Sequence, residues 1–191
     1  MDSQLDTTDE SGRELFLIDD FTDEEQISQL GTTWRAFSDQ VMGGVSTVGY
    51  EYVTLESADD QEQETIRALH LLGEVSLENN GGFAQVALSL VQDEKPFDAS
   101  KYAGVRLHVK GNAETYFVHL RTNQTRLPWQ YYGGSFKAGE SWQTIDIPFN
   151  DFTGESISDP LNLEFLLSIG IVAAQKPYRA DLFIDSVAFY S

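Results

Sequence analysis

Cysteine is absent from the 191 residues, which excludes disulfides, thiolate metal sites and cysteine nucleophiles. No apolar run approaches the ~18 residues of a membrane-spanning helix, so direct membrane insertion is not expected. The opening MDSQLDTTDESGRE is acidic and lacks an apolar stretch. It reads neither as a secretory signal nor as an Arg-rich transit peptide, and the expected location is the cytoplasm. Catalytic signatures are missing too: there is no HExxH, no GxSxG and no GxGxxG between a strand and a helix. Nothing in the sequence requires an enzyme. The three histidines, His70, His108 and His119, remain available as general bases, because the members of a triad need only converge in space.

Positive charge is scarce: 12 Lys and Arg stand against 31 Asp and Glu, for a net charge of −19. Residues 1–64 carry 17 of those acids and only 2 of the basic residues. Nucleic acid and anionic membrane surfaces are repelled by such a field. Residues 1–13 read as a disordered acidic arm and 14–191 as a single domain.

What is present is a rhythm of short strands and turns. Apolar or alternating segments recur at 15–18, 50–55, 66–77, 83–90, 104–110, 115–121, 129–136, 142–148, 165–173 and 181–190. Gly73 marks an expected bulge, 57–64 a polar hairpin loop, and 23–30 one short helix capped by Thr22. No helix-length periodic segment alternates with the strands, so the expected fold is an all-β sandwich of two antiparallel sheets. Trp34, Trp142 and Phe149 read as core, and Pro148 ends a strand.

One constellation suggests a binding face. Arg106 and His108 alternate with Val105, Leu107 and Val109; His119 and Arg121 alternate with Val118 and Leu120. If these consecutive strands pair through the turn at 111–114, the four basic residues share one face, to which the next strand adds Trp129 and Tyr131. Aromatic rings pack on the CH surface of a sugar or peptide, while the Arg fork binds hydroxyls or carboxylates.

Two glycine-bearing turns stand apart. VMGGVS at 41–46 has no following helix or Lys-Ser/Thr pair, so it is not a phosphate cradle. Gly43 and Gly44 permit a positive φ or a close approach, Asp39 and Ser46 can cap the loop, and Met42 reads as a packing residue. Alternatively this loop rims a ligand site beside Asn79, Asn80, Gly81 and Gly82.

The stretch WRAFSDQVMGGVS at 34–46, followed by GEVSLENNGGF at 73–83, resembles the complex I intermediate-associated protein 30 family. YFVHLRT at 116–122, WQTIDIPF at 142–149 and Phe152 continue the likeness, which spans about residues 15–190. The resemblance implies a galactose-binding-like jelly roll. It also implies a role in protein-complex biogenesis, since mitochondrial members look like assembly chaperones of the respiratory NADH dehydrogenase. The chain resembles the small stand-alone bacterial relatives. Sandwiches of this kind often hold a structural Ca²⁺, for which Asp19, Asp20 and Asp185 offer oxygen ligands; no other cofactor is expected. Three functions follow as expectations: a non-catalytic assembly factor with a protein partner, such as a membrane-complex subunit; a carbohydrate-binding module; and a small hydrolase using His108 or His119.

Overall fold

The computed structural model describes residues 6–9, 12–56 and 65–191. Thirteen strands follow in chain order: β1 (Asp6–Thr8), β2 (Glu14–Asp19), β3 (Arg35–Ser38), β4 (Thr47–Glu56), β5 (Thr65–Val75), β6 (Phe83–Ser89) and β7 (Gly104–Lys110), then β8 (Thr115–Thr122), β9 (Tyr131–Lys137), β10 (Gln143–Pro148), β11 (Thr153–Glu155), β12 (Leu166–Ala174) and β13 (Tyr178–Tyr190). All pairing is antiparallel. One sheet has seven strands, with β13 between β7 on one side and β5 and β2 on the other; β4, β10 and β1 lie outermost. The second has six, in the order β11-β9-β8-β12-β6-β3. This is the two-sheet jelly roll that the strand rhythm predicts.

Period-2 alternation builds the core. Val105, Leu107 and Val109 of β7 and Leu182 and Ile184 of β13 face inward from one sheet. Tyr116, Val118 and Leu120 of β8 and Ile169 and Ile171 of β12 meet them from the other. All ten are fully buried. Each aliphatic side chain so placed contributes about 1.5–3 kcal/mol of transfer free energy. Trp34 and Phe149 are core, as expected, whereas Trp142 is only half-buried.

Four local expectations need correction. Residues 23–30 form turns rather than a helix, because Asp23 Oδ1 accepts from the backbone N–H of Glu25 and Ile27 and closes the chain locally. Gly73 is no bulge: its pairing to Val48 and Ala180 is in continuous register, and the missing side chain lets Thr47 O approach. The acidic arm is structured in part, since Asp6–Thr8 pairs with β2 and Asp9 bonds Arg106. Met42 does not pack; it is 57% exposed. The hairpin loop at 57–64 lies outside the described residues. Among the described residues no helix is long and apolar enough to cross a membrane.

Candidate functional site

The turn at 111–114 does not make a hairpin. Its four residues carry the chain from β7 in the seven-stranded sheet to β8 in the six-stranded sheet. Asn112 holds the crossing, accepting from Tyr116 Oη (2.7 Å) and donating to Arg179 O (2.8 Å). The pairing assumed from sequence is therefore wrong, and the constellation splits between opposite outer faces.

On the seven-stranded side Arg106 and His108 are hydrogen-bonded to acidic neighbours. Arg106 donates Nε to Asp146 Oδ1 (2.6 Å) and Nη2 to Asp146 Oδ2 (2.8 Å), and it also bonds Asp9. These bonds hold Asp146 below the usual carboxylate range. His108 bonds Asp185 through Nδ1 (2.7 Å) and stacks on Trp142 at 5.2 Å. His70 likewise bonds Asp181 (2.7 Å) and stacks on Phe183 at 3.9 Å. Among the described residues no histidine hydrogen-bonds a hydroxyl, so no triad geometry is present.

The other face is open. Register aligns Arg35, Ala87, Gly170, His119, Gly133 and Thr153 across the six strands, with Phe37, Gln85, Val172, Phe117 and Ser135 as the adjacent row. His119 stacks on Tyr131, centroids 3.7 Å apart and planes 12° apart. Phe117 lies 6.4 Å from it, and Phe37 meets Phe83 edge-on at 6.2 Å. Glycines on both sides of His119 leave the imidazole flanked by bare backbone. Burial pushes its pKa down to about 4, so the ring is neutral at pH 7. Neither ring nitrogen has a hydrogen-bond partner among the described residues. A neutral imidazole offers one donor and one acceptor, both free for a ligand.

Arg121 and Trp129 differ from expectation. Arg121 is spent on the loop after β8, donating to Thr125 Oγ1 (3.4 Å), Thr125 O (3.1 Å) and Leu127 O (3.0 Å). Trp129 precedes β9 on that loop and is 53% exposed. Phe37, Phe83 and Gln85 were not read as site residues. Their alternation in β3 and β6 is visible in the sequence, but not that β12 carries them beside β8.

The two glycine turns do come together, on one carboxylate. Asp39 is fully buried and accepts from Ser46 N (2.9 Å), Ser46 Oγ (2.5 Å), Gly82 N (2.5 Å) and Phe83 N (3.3 Å). Burial raises its pKa, but these bonds outweigh burial and the net shift is downward. A Cβ at Gly44 or Gly81 would fall 2.3–2.4 Å from the carboxylate oxygens, so both positions require glycine for space. Gly43 supplies a positive φ of 89° at the turn. This arrangement is a structural clamp, and around it Val41, Met42, Val45 and Leu77 are exposed.

The acids considered for Ca²⁺ have separate duties. Asp19 accepts from Trp34 Nε1 (2.9 Å) and Phe21 N (2.8 Å), Asp20 from Thr22 Oγ1 (2.6 Å), and Asp185 pairs with His108. They do not converge, and among the described residues no three His, Cys, Asp or Glu form a metal-binding group. The donor set does not fit a calcium ion.

Comparison with solved structures supports the fold. The chain is similar to the family 11 carbohydrate-binding module of a cellulosomal cellulase of Clostridium thermocellum, with TM-score 0.64 and 17% identity, covering 91% of this chain and 92% of that one. The same organism's family 11 module in complex with a β-1,3-1,4-mixed-linked tetrasaccharide gives TM-score 0.64 and 16% identity, covering 92% and 94%. Its family 30 carbohydrate-binding module gives TM-score 0.51 and 12% identity, covering 75% and 88%. No curated protein matches in sequence. The family model for Complex I intermediate-associated protein 30 matches residues 20–182, a stretch that contains the Asp39 clamp and the whole six-stranded sheet. With most of its length so matched, the chain belongs to the Complex I intermediate-associated protein 30 (CIA30) family.

Proposed function

We propose that this chain is a non-catalytic, cytoplasmic binding factor in the assembly of a protein complex, and that it holds its partner on the outer face of the six-stranded sheet. The family to which it belongs is named for association with an intermediate of complex I, which supports an assembly role. The observation that carries the choice of face is His119: a neutral imidazole stacked on Tyr131, with both ring nitrogens free. Phe37, Phe83 and Phe117 supply flanking apolar area, and aromatic anchors dominate the energetics of interfaces.

The test is recovery of complex I subunits from detergent-solubilised membranes of the native source on the immobilised chain. Wild type is expected to retain them, and Phe117→Ala or Tyr131→Ala to weaken retention about thirtyfold, the effect of losing ~2 kcal/mol at an aromatic anchor. Failure of wild type to retain any subunit sinks the assembly reading.

A glycan is the second reading, favoured by the same ring pair. Tyr131 is an aromatic ring stacked on an imidazole with free polar atoms, and sugar rings pack on aromatic rings beside hydrogen-bonding groups. Structures of similar fold include a module complexed with a mixed-linked tetrasaccharide. Calorimetry with that tetrasaccharide separates the readings. Heat that disappears in Tyr131→Ala supports the glycan, and a flat titration removes this one.

A further inference from the structure

Strand β4 lies at an edge of the seven-stranded sheet. Its ten residues pair with β5 in unbroken register, from Thr47 opposite Glu74 to Glu56 opposite Thr65. Among the described residues no strand pairs with its other side. Proteins protect such edges with bulges, prolines or very short strands, and β4 has none of these. In an antiparallel ladder alternate residues point both N–H and C=O away from the partner, so about five residues of β4 offer unpaired backbone.

Acids outnumber bases along the described part of this edge. Strand β4 carries Glu51 and Glu56 and no Lys or Arg, and Glu51 lies 3.4 Å from His70 Nδ1. A shallow groove of about 190 Å³ beside Tyr52–Thr54 adds Asp23 and Glu24. Its Arg67 is bonded to Thr22 O (2.6 Å). At the other end, Val41, Met42 and Val45 lie just before the strand in sequence, exposed by 73%, 57% and 42%. The edge thus runs from an apolar knuckle to an acidic end.

We propose that β4 accepts an extended basic segment of a partner protein as an added antiparallel strand. Its Lys or Arg side chains lie beside Glu51 and Glu56, and its apolar residues lie toward Val45 and Met42. Backbone pairing supplies affinity, and the charge gradient sets direction and partner choice. This surface is an edge, distinct from the open face of the six-stranded sheet, so the two readings fail separately.

The experiment uses the full chain and a synthetic ten-residue peptide of alternating Val and Thr with lysines in its N-terminal half. An otherwise identical peptide with glutamates is the control. Amide hydrogen exchange is expected to slow at alternate residues of β4 with the lysine peptide alone, and affinity to fall as salt rises. The double variant Glu51→Lys/Glu56→Lys is expected to weaken the lysine peptide about tenfold and to admit the glutamate peptide. Unchanged exchange along β4, or equal binding of both peptides to wild type, overturns the proposal.

Discussion

Replacing Asp39 by alanine is expected to lower the free energy of unfolding by about 4 kcal/mol, and the midpoint of thermal unfolding by about 10 °C. The carboxylate accepts four bonds, from Ser46 N and Oγ and from the amides of Gly82 and Phe83. Removing it leaves these donors unpaired in a buried space, and a buried donor without a partner costs about 1–3 kcal/mol. Asparagine fits the volume but turns an NH₂ toward donors, so Asp39→Asn is expected to recover less than half of the loss. Ser46→Ala removes one hydroxyl and should cost about 1–2 kcal/mol. The pH dependence has a definite sign. Because the folded carboxyl has its pKa lowered from 3.8, its contribution is complete above that value and is lost as pH falls through the folded pKa. Urea titrations of the three variants at pH 7 and pH 3 measure all of this. An alanine variant within 1 kcal/mol of wild type at pH 7 would show that the clamp opens to water without penalty.

Protonation of His119 is the second large effect. Burial lowers its pKa from 6.5 to about 4. The unfolded chain therefore binds a proton between those values that the folded chain refuses, and stability falls as pH drops from about 6.5 to 4. The single-group contribution over that window is about 3 kcal/mol. His119→Gln, which cannot titrate, is expected to flatten the stability profile between pH 7 and 4 by that amount relative to wild type. Imidazole chemical shifts give the folded pKa directly, and a midpoint near 6.5 would contradict the burial argument. Binding on the open face is expected to stay constant down to about pH 5, since the ring stays neutral there.

Much of the fold was legible because alternation is a local property. Val105, Leu107 and Val109 announce their common face within seven residues, and the structure buries all three. The link between Asp39 and Ser46 was also readable, because a short acid and a hydroxyl around two glycines are suited to hydrogen-bonding their own loop. The candidate site was less legible. The turn at 111–114 has the Gly-Asn character of a hairpin and yet crosses between sheets, held by Asn112, Tyr116 and Arg179. Its partner at 179 is remote in sequence, so no local rule distinguishes the two outcomes. That one crossing removes Arg106 and His108 from the face of His119. Arg121 was misjudged for another reason: its bonds go to loop carbonyls, which no residue type advertises.

Strand β13 pairs with β5 through residues 178–184, with β7 through 183–190 and with β2 through 187–190. Leu15 of β2 and Gly104 of β7 thus meet across Tyr190, on a strand synthesised after both. Until β13 exists, β2 and β5 have no common neighbour. Folding is therefore expected to be slow and all-or-none, with loop closure entropy spent before the pairing returns it. A nascent chain of this protein keeps sheet edges bare until β13 is made, and bare strand edges are prone to aggregate.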